Sequence, residues 1–309
     1  MKFAQIAKRV LLFAVVNVLV LLTISIVLGL LSAFFHINLG SGGYSSLLFF
    51  CFIWGMGGAF VSLAMSRLIA KWFMGVKVID PHTTDANARQ LVDTVHQLAR
   101  TAGLTKMPEV GYYESPEVNA FATGPSRSRS LVAVSTGLLE NMRRDEVAGV
   151  LAHEVAHITN GDMVTMTLIQ GVINAFVMFL ARILAMVVSS ALRRGDDDRG
   201  GWFMQYMLVQ VFQVILSLFG MMVVCKFSRW REFRADAGGA RYAGRESMIN
   251  ALERLRAIHE TPIGQYSEHS SPALQSLKIS GKAGGFAALF TTHPPLEERI
   301  ARLRGARDF

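Results

Sequence analysis

Four long stretches with almost no charge constrain this chain more than any other feature. Residues 10–35, 47–65 and 202–225 contain no Lys, Arg, Asp or Glu, and residues 163–192 contain only Arg182. A helix needs about 20 apolar residues to cross the hydrocarbon of a bilayer, and each stretch approaches or exceeds that length. With 51% hydrophobic and 17% charged residues, the chain is too apolar for an ordinary soluble enzyme and reads as a membrane protein. A secretory signal has a shorter apolar core and a small-residue cleavage site, so residues 10–35 predict a retained span. The Gly-rich residues 36–46, with a solvated His36, form the turn to the second span.

Lys2, Lys8 and Arg9 precede the first pair of spans, Arg67, Lys71 and Lys77 follow it, and no cation lies between. That distribution puts both outer ends in the cytoplasm. It also accounts for the net charge of +8 without nucleic acid, since no exposed stretch interleaves basic and aromatic residues. The expected partner is a lipid bilayer. In the second pair, Arg182 is close enough to the far end of its run to snorkel. Gln205, Gln210 and Gln213 dilute the other run, and Arg193, Arg194 and Arg199 crowd the connection. Two full spans are the expectation for this pair, with a hairpin lying partly in the interface as the alternative. Cys51 and Cys225 lack metal-ligand spacing and read as packing residues.

The chain therefore divides into a transmembrane hairpin (residues 1–77), a soluble part (78–162), a second hydrophobic hairpin (163–227) and a second soluble part (228–309). The first soluble part opens on a helix over residues 84–101, with Thr84 as N-cap and Gly103 as stop. Strands follow at residues 109–113, 119–123 and 130–135, the last two joined by a hairpin loop over residues 124–129 whose Arg127 and Arg129 face solvent. A helix from near Asn141 to Asn160-Gly161 closes it. The second soluble part holds a helix through Glu232 and Asp236, another around residues 247–258, a polar loop over residues 259–285, and a final amphipathic helix over residues 295–304.

The chemistry lies in His153-Glu154-Val155-Ala156-His157. One helical turn puts His153 and His157 on the same face, where both imidazoles reach one ion. This HExxH pattern predicts a Zn²⁺ site, because catalytic zinc takes about three protein ligands and keeps one position for water. Glu154 then serves as the general base that deprotonates the water and returns the proton to the leaving amine. A third ligand is needed. His259, His269 and His293 are available, but Glu232 is better placed, because Glu232 and Asp236 share a helix face. One can ligate while the other hydrogen-bonds a ligating histidine from behind. A solvated helix of Arg/Glu/Asp pairs is the plain alternative for that segment.

Several of these segments together resemble the HtpX family of membrane-bound zinc endopeptidases, relatives of the CAAX prenyl endopeptidases. The resemblance rests on the N-terminal hydrophobic pair, Asn119-Ala120-Phe121-Ala122-Thr123-Gly124, and the HExxH segment continuing to Asn160-Gly161-Asp162. It extends through the second hydrophobic pair, Arg231-Glu232-Phe233-Arg234-Ala235-Asp236 and Thr292-His293-Pro294-Pro295. It implies one Zn²⁺ per chain held by His153, His157 and Glu232, with Glu154 as catalytic base and Asp236 behind a ligand. It further implies a stress-response protease of the bacterial inner membrane that faces the cytoplasm and degrades damaged or misfolded membrane proteins in quality control. Asn119, Ala120, Phe121 and Ala122 resemble the edge strand along which such proteases pair an extended substrate. His293 reads either as an oxyanion donor or as the cap of the final helix.

The expected fold is α+β: a multi-span helical membrane protein with a mainly helical, gluzincin-like zinc-protease domain and a small β-sheet. Continuity from residues 202–225 into the Glu232 helix sets the site near the cytoplasmic membrane face. The rival readings are a CAAX-type processing protease, an intramembrane zinc protease, and a non-enzymatic, metal-stabilised membrane scaffold. Charged Glu140, Arg143, Arg144, Asp145 and Glu146 just ahead of the histidines weigh against the intramembrane protease. Glu154, which a closed structural site does not need, weighs against the scaffold.

Overall fold

The computed structural model describes residues 44–192, 201–259 and 291–306. The expected first span, the His36 turn, the 193–200 connection, and His269 with nearly all of the polar loop lie outside these residues. Three helices among them are long and apolar enough to cross a membrane: α1 (Tyr44–Phe73), α5 (Asp162–Leu192) and α6 (Gly201–Ala243). Two compact units emerge, one built on the described parts of Met1–Ser62 and Thr167–Val224, the other on those of Leu63–Met166 and Cys225–Phe309.

The first unit is helical and exposes side chains that water solvates poorly, among them Phe176, Val187, Val214 and Phe219. A bilayer is their natural solvent. Arg182, expected to snorkel toward the far end of its run, has partners within this unit. Its Nη1 donates to the Met178 carbonyl at 2.9 Å and its guanidinium lies over the Phe50 ring, so the charge is satisfied where it stands. Cys51 and Cys225 are buried free thiols.

Helix α6 departs from expectation. The apolar run and the segment bearing Glu232 form one helix of 43 residues rather than two. No Pro interrupts it, and the first charge, Lys226, alters its surroundings without breaking its hydrogen bonding. At about 1.5 Å rise per residue, the uncharged part to Cys225 is by itself long enough for a bilayer.

In the second unit, a mixed sheet runs in the order β1 (Lys77–Val78), β2 (Glu109–Tyr113), β4 (Arg129–Ser135), β3 (Ala120–Ser126). β2 and β4 are parallel; the outer pairings are antiparallel. β3 thus occupies an edge. The hairpin loop expected over residues 124–129 is only Arg127 and Ser128, because the strand continues through a bulge between Thr123 and Ser126. Gly124 makes this feasible at φ 143°, a region other residues avoid. Ser135 donates its N–H to the Asn119 carbonyl, so residues 119, 121 and 123 bond inward to β4. By antiparallel alternation, the N–H and C=O of Ala120 and Ala122 point away from β4.

Helix α2 (Ala86–Thr101) is capped by Asp85, which accepts from Asn87 N and Ala88 N, and not by Thr84. α3 (Thr136–Asn141) is separate from α4 (Arg144–Asn160), because Met142 between them is extended. The metal-site helix therefore starts at Arg144 rather than near Asn141. Its first turn is closed by Glu146, which accepts from Arg143 N at 2.7 Å. It ends at Gly161, φ 71°, where a left-handed residue returns the N–H to His157 O and Ile158 O.

α4 is the centre of this unit. Val150, Leu151, Val155 and Ile158 share a core with Val92 and Val95 of α2, Val132 and Val134 of β4, and Met248, Leu252 and Leu255 of α7 (Arg245–His259). Leu296, Ile300 and Leu303 of α8 (Leu296–Gly305) complete it.

Candidate active site

His153 and His157 stand one turn apart on α4, 2% and 9% exposed, and Glu232 of α6 faces them fully buried. His153 Nε2 and His157 Nε2 are 3.1 Å apart. Glu232 places Oε2 3.3 Å from the first and Oε1 3.3 Å from the second. Donors held at 2.0–2.1 Å around a tetrahedral ion are themselves about 3.3–3.4 Å apart, so the three fit zinc in both chemistry and spacing. Among the described residues they form a group able to hold a metal ion. Glu232 Oε1 is buried and makes no hydrogen bond, an acceptor that an ion would satisfy.

The two helices can approach this closely because α6 carries Gly238 and Gly239 where it crosses α4. A Cβ at residue 238 would lie 2.6 Å from Ala156 Cβ, and one at residue 239 would lie 3.2 Å from His153 N. Small residues at the crossing bring Glu232 within reach of the histidines.

Each imidazole is backed by a carboxylate. His153 Nδ1 donates to Asp236 Oδ1 at 2.9 Å, and His157 Nδ1 to Asp162 Oδ2 at 2.7 Å. Both bonds hold Nδ1–H and leave Nε2 facing the centre. Burial lowers the His153 pKa, but its bonds to Asp236 and Glu232 outweigh that and raise it from 6.5 to about 9. His157 rises too: the Glu232 charge and the Asp162 bond overcome burial. Burial opposes charge on Glu232, yet the nearby His293 and His157 hold its carboxyl well below the usual range.

Glu154, 5% exposed, follows His153 on α4, and at 100° per residue its side chain stands about 60° round from His157. Asn119, Ala120 and Phe121 are buried at the edge strand, and Ala122 is half-buried. Ala120 and Ala122 pack on the α4 side of the sheet, while Phe121 packs on the other face against Tyr113.

His293 does not cap the final helix. Pro295 occupies the N-cap position, and His293 Nδ1 instead bonds Glu232 Oε2 at 2.8 Å. Its Nε2 is buried without a hydrogen bond. Two residues with no role assigned from sequence also join the cluster. Asp162 is the first residue of α5, and Gly161 turns the chain so that it reaches back to His157. Arg299 of α8 is wholly buried against Asp236. Its sequence signal was a cation on the apolar stripe of Leu296, Ile300 and Leu303.

Comparison with known proteins gives concordant results. The model of peptidase family M48 matches residues 85–307. The protease HtpX homolog of Bacillus subtilis (strain 168) is 51% identical over 304 residues, 96% of this chain and 99% of that protein. The homolog of Methylacidiphilum infernorum (isolate V4) is 46% identical over 301 residues, 97% and 99% respectively. Protease HtpX of Tolumonas auensis is 46% identical over 303 residues, 97% and 100%. Among solved structures, that of S. mikatae Ste24p superposes with a TM-score of 0.62 at 16% identity. The match covers 97% of this chain and 65% of Ste24p, a likeness of fold.

Proposed function

Because this chain belongs to peptidase family M48, and is a membrane metalloendopeptidase acting on polypeptides, we propose that it binds one zinc ion and cleaves membrane proteins at the cytoplasmic face of a bacterial inner membrane. Damaged or misassembled membrane proteins are its substrates, in keeping with quality control. The observation that carries the reading is the buried trio of His153 Nε2, His157 Nε2 and Glu232 Oε, at mutual separations of 3.1–3.3 Å, with a carboxylate behind each imidazole.

When bound, zinc supplies Lewis acidity. The chain's residues do the rest. Asp236 and Asp162 fix the rings of His153 and His157. Glu154 takes a proton from the attacking water as the oxygen adds to the scissile carbonyl, then delivers it to the departing amine as the C–N bond breaks. The substrate backbone pairs in extended form with the outward N–H and C=O of Ala120 and Ala122. The catalytic domain is interrupted in sequence, with residues 78–162 and 228–309 as its two parts and 163–227 as a hydrophobic hairpin between them. Lys2, Lys8 and Arg9 before the first hairpin, with Arg67, Lys71 and Lys77 after it, favour a cytoplasmic catalytic domain.

The test uses detergent-purified protein, a loosely folded polypeptide substrate and zinc analysis of the same samples. Glu154→Gln keeps zinc and loses roughly 10²–10⁴-fold in hydrolysis. Glu232→Ala loses both zinc and hydrolysis, and a chelator reproduces its effect on the parent. An active Glu154→Gln protein, or a Glu232→Ala protein with full zinc, overturns the assignment.

A further inference from the structure

Helix α8 is amphipathic, and Leu296, Ile300 and Leu303 seat it on the core. Arg299 lies on that same stripe, three residues after Leu296 and four before Leu303, and is 0% exposed. A guanidinium in such surroundings is tolerated only when anions meet it with good geometry. Asp236 meets it squarely. Arg299 Nε donates to Oδ2 at 2.8 Å and Nη2 to Oδ1 at 2.6 Å. Arg299 Nη1 also stands 3.8 Å from Glu232 Oε2.

Two consequences follow from this fork. With both oxygens held by one planar group, the Asp236 carboxylate cannot rotate about its bond to Cβ. Oδ1 is therefore fixed toward His153, whose Nδ1 donates to it at 2.9 Å. The 3.4 Å approach of Arg299 Nη2 to His153 Nδ1 reflects two donors converging on that one oxygen. Second, Glu232 and Asp236 are like charges one turn apart on α6, an arrangement that repels. Arg299 supplies a fixed cation between them from another helix, 3.8 Å from Glu232 Oε2 and 2.6 Å from Asp236 Oδ1.

We propose that Arg299 is a positioning residue of the metal site: through its two-point hold on Asp236 it sets the ring orientation of His153. It touches neither the ion nor the substrate. The proposal rests on His153, His157 and Glu232 being the ligands. It implies that the site needs α8 in place, although α8 supplies no ligand.

A cation used only for packing would be replaceable by lysine, whose compact ammonium retains the charge but cannot fork. The two roles therefore separate in Arg299→Lys. Zinc affinity is measured by competition with a chromophoric chelator on the full-length protein in detergent, alongside the melting of metal-free samples. Arg299→Lys binds zinc roughly 10–100-fold more weakly than the parent, while its metal-free melting stays near the parent's. In Arg299→Ala the affinity falls further, and guanidinium ion at sub-denaturing concentration restores part of it by occupying the vacated space. Should Arg299→Ala not fold, Arg299→Lys alone decides. An Arg299→Lys affinity within about two-fold of the parent overturns the proposal, as does a folded Arg299→Ala protein that guanidinium leaves unchanged. Glu232→Ala in the same titration keeps the premises distinct. If it binds zinc as the parent does, the ligand assignment itself has failed. If it loses zinc while Arg299→Lys keeps it, only the role of Arg299 has failed.

Discussion

Replacing Gly238 by alanine tests whether the closeness of α4 and α6 creates the metal site. The added Cβ would lie 2.6 Å from Ala156 Cβ, whereas carbon atoms in contact sit about 3.5–4.0 Å apart. Neither methyl can rotate away, so the helices must part by roughly 1 Å at the crossing. In stability the effect is modest: overpacking costs about 1–3 kcal/mol. Alanine's better helix propensity returns up to about 1 kcal/mol of that. Metal binding is affected more, because ligand distances tolerate only about 0.2 Å. Zinc affinity should fall at least ~10-fold while the melting temperature drops by only a few degrees. Gly239→Ala is milder, since its worst clash is with the mobile sulfur of Met248 at 2.7 Å, with His153 N next at 3.2 Å. Gly58→Ala on α1 meets nothing within 4 Å and is the neutral control. Chelator competition and thermal melting on the three variants should rank them Gly58, Gly239, Gly238 in rising loss of zinc. Parent-like affinity in Gly238→Ala would show that the helix crossing does not set the ligand geometry.

Zinc must displace the protons held by the metal-free cluster, and His153 there titrates at about 9, so affinity should strengthen as pH rises from 6.5 toward 9; a flat profile by competition titration refutes this. The same raised value stabilises the metal-free fold fully below about 6.5 and is lost as pH passes 9, so chelated protein should melt lower at alkaline pH. Ala122→Pro removes an N–H that points off the sheet edge, so cleavage should weaken with zinc content and folding intact; unchanged cleavage by the folded variant counts against substrate pairing at β3. Reporter fusions at residue 40 and at the C-terminus should report opposite sides of the membrane, and the same side for both contradicts the proposed orientation.

Much of the site was legible because its signals are local. The one-turn spacing of His153 and His157, and of Glu232 and Asp236, survives in any helix, and both segments are helical. Strand β2 matched its expected residues because its ends are marked by Pro108 and by the Ser115-Pro116 pair. Arg299 was illegible because an arginine's burial depends on an anion 63 residues away in sequence. The bond of His293 to Glu232 was hidden for the same reason, since the two are 61 residues apart. Asp162 stands five residues past His157, a spacing that fails on a straight helix and works only because Gly161 bends the chain. Gly124-Pro125 looked like a loop because glycine and proline usually mark one; here they form a strand bulge.

The order of the elements along the chain bears on biogenesis. The histidines on α4 precede, and Glu232 follows, two helices long and apolar enough to cross a membrane. Glu232 is seven residues beyond Cys225 on an unbroken helix, so the side on which that helix emerges decides where the third ligand arrives. If both helices span, a nascent chain in which only one of them crossed would have its histidines on one side of the bilayer and its glutamate on the other. Such a molecule could not assemble a proteolytic centre, so correct insertion is a condition for acquiring the power to cut.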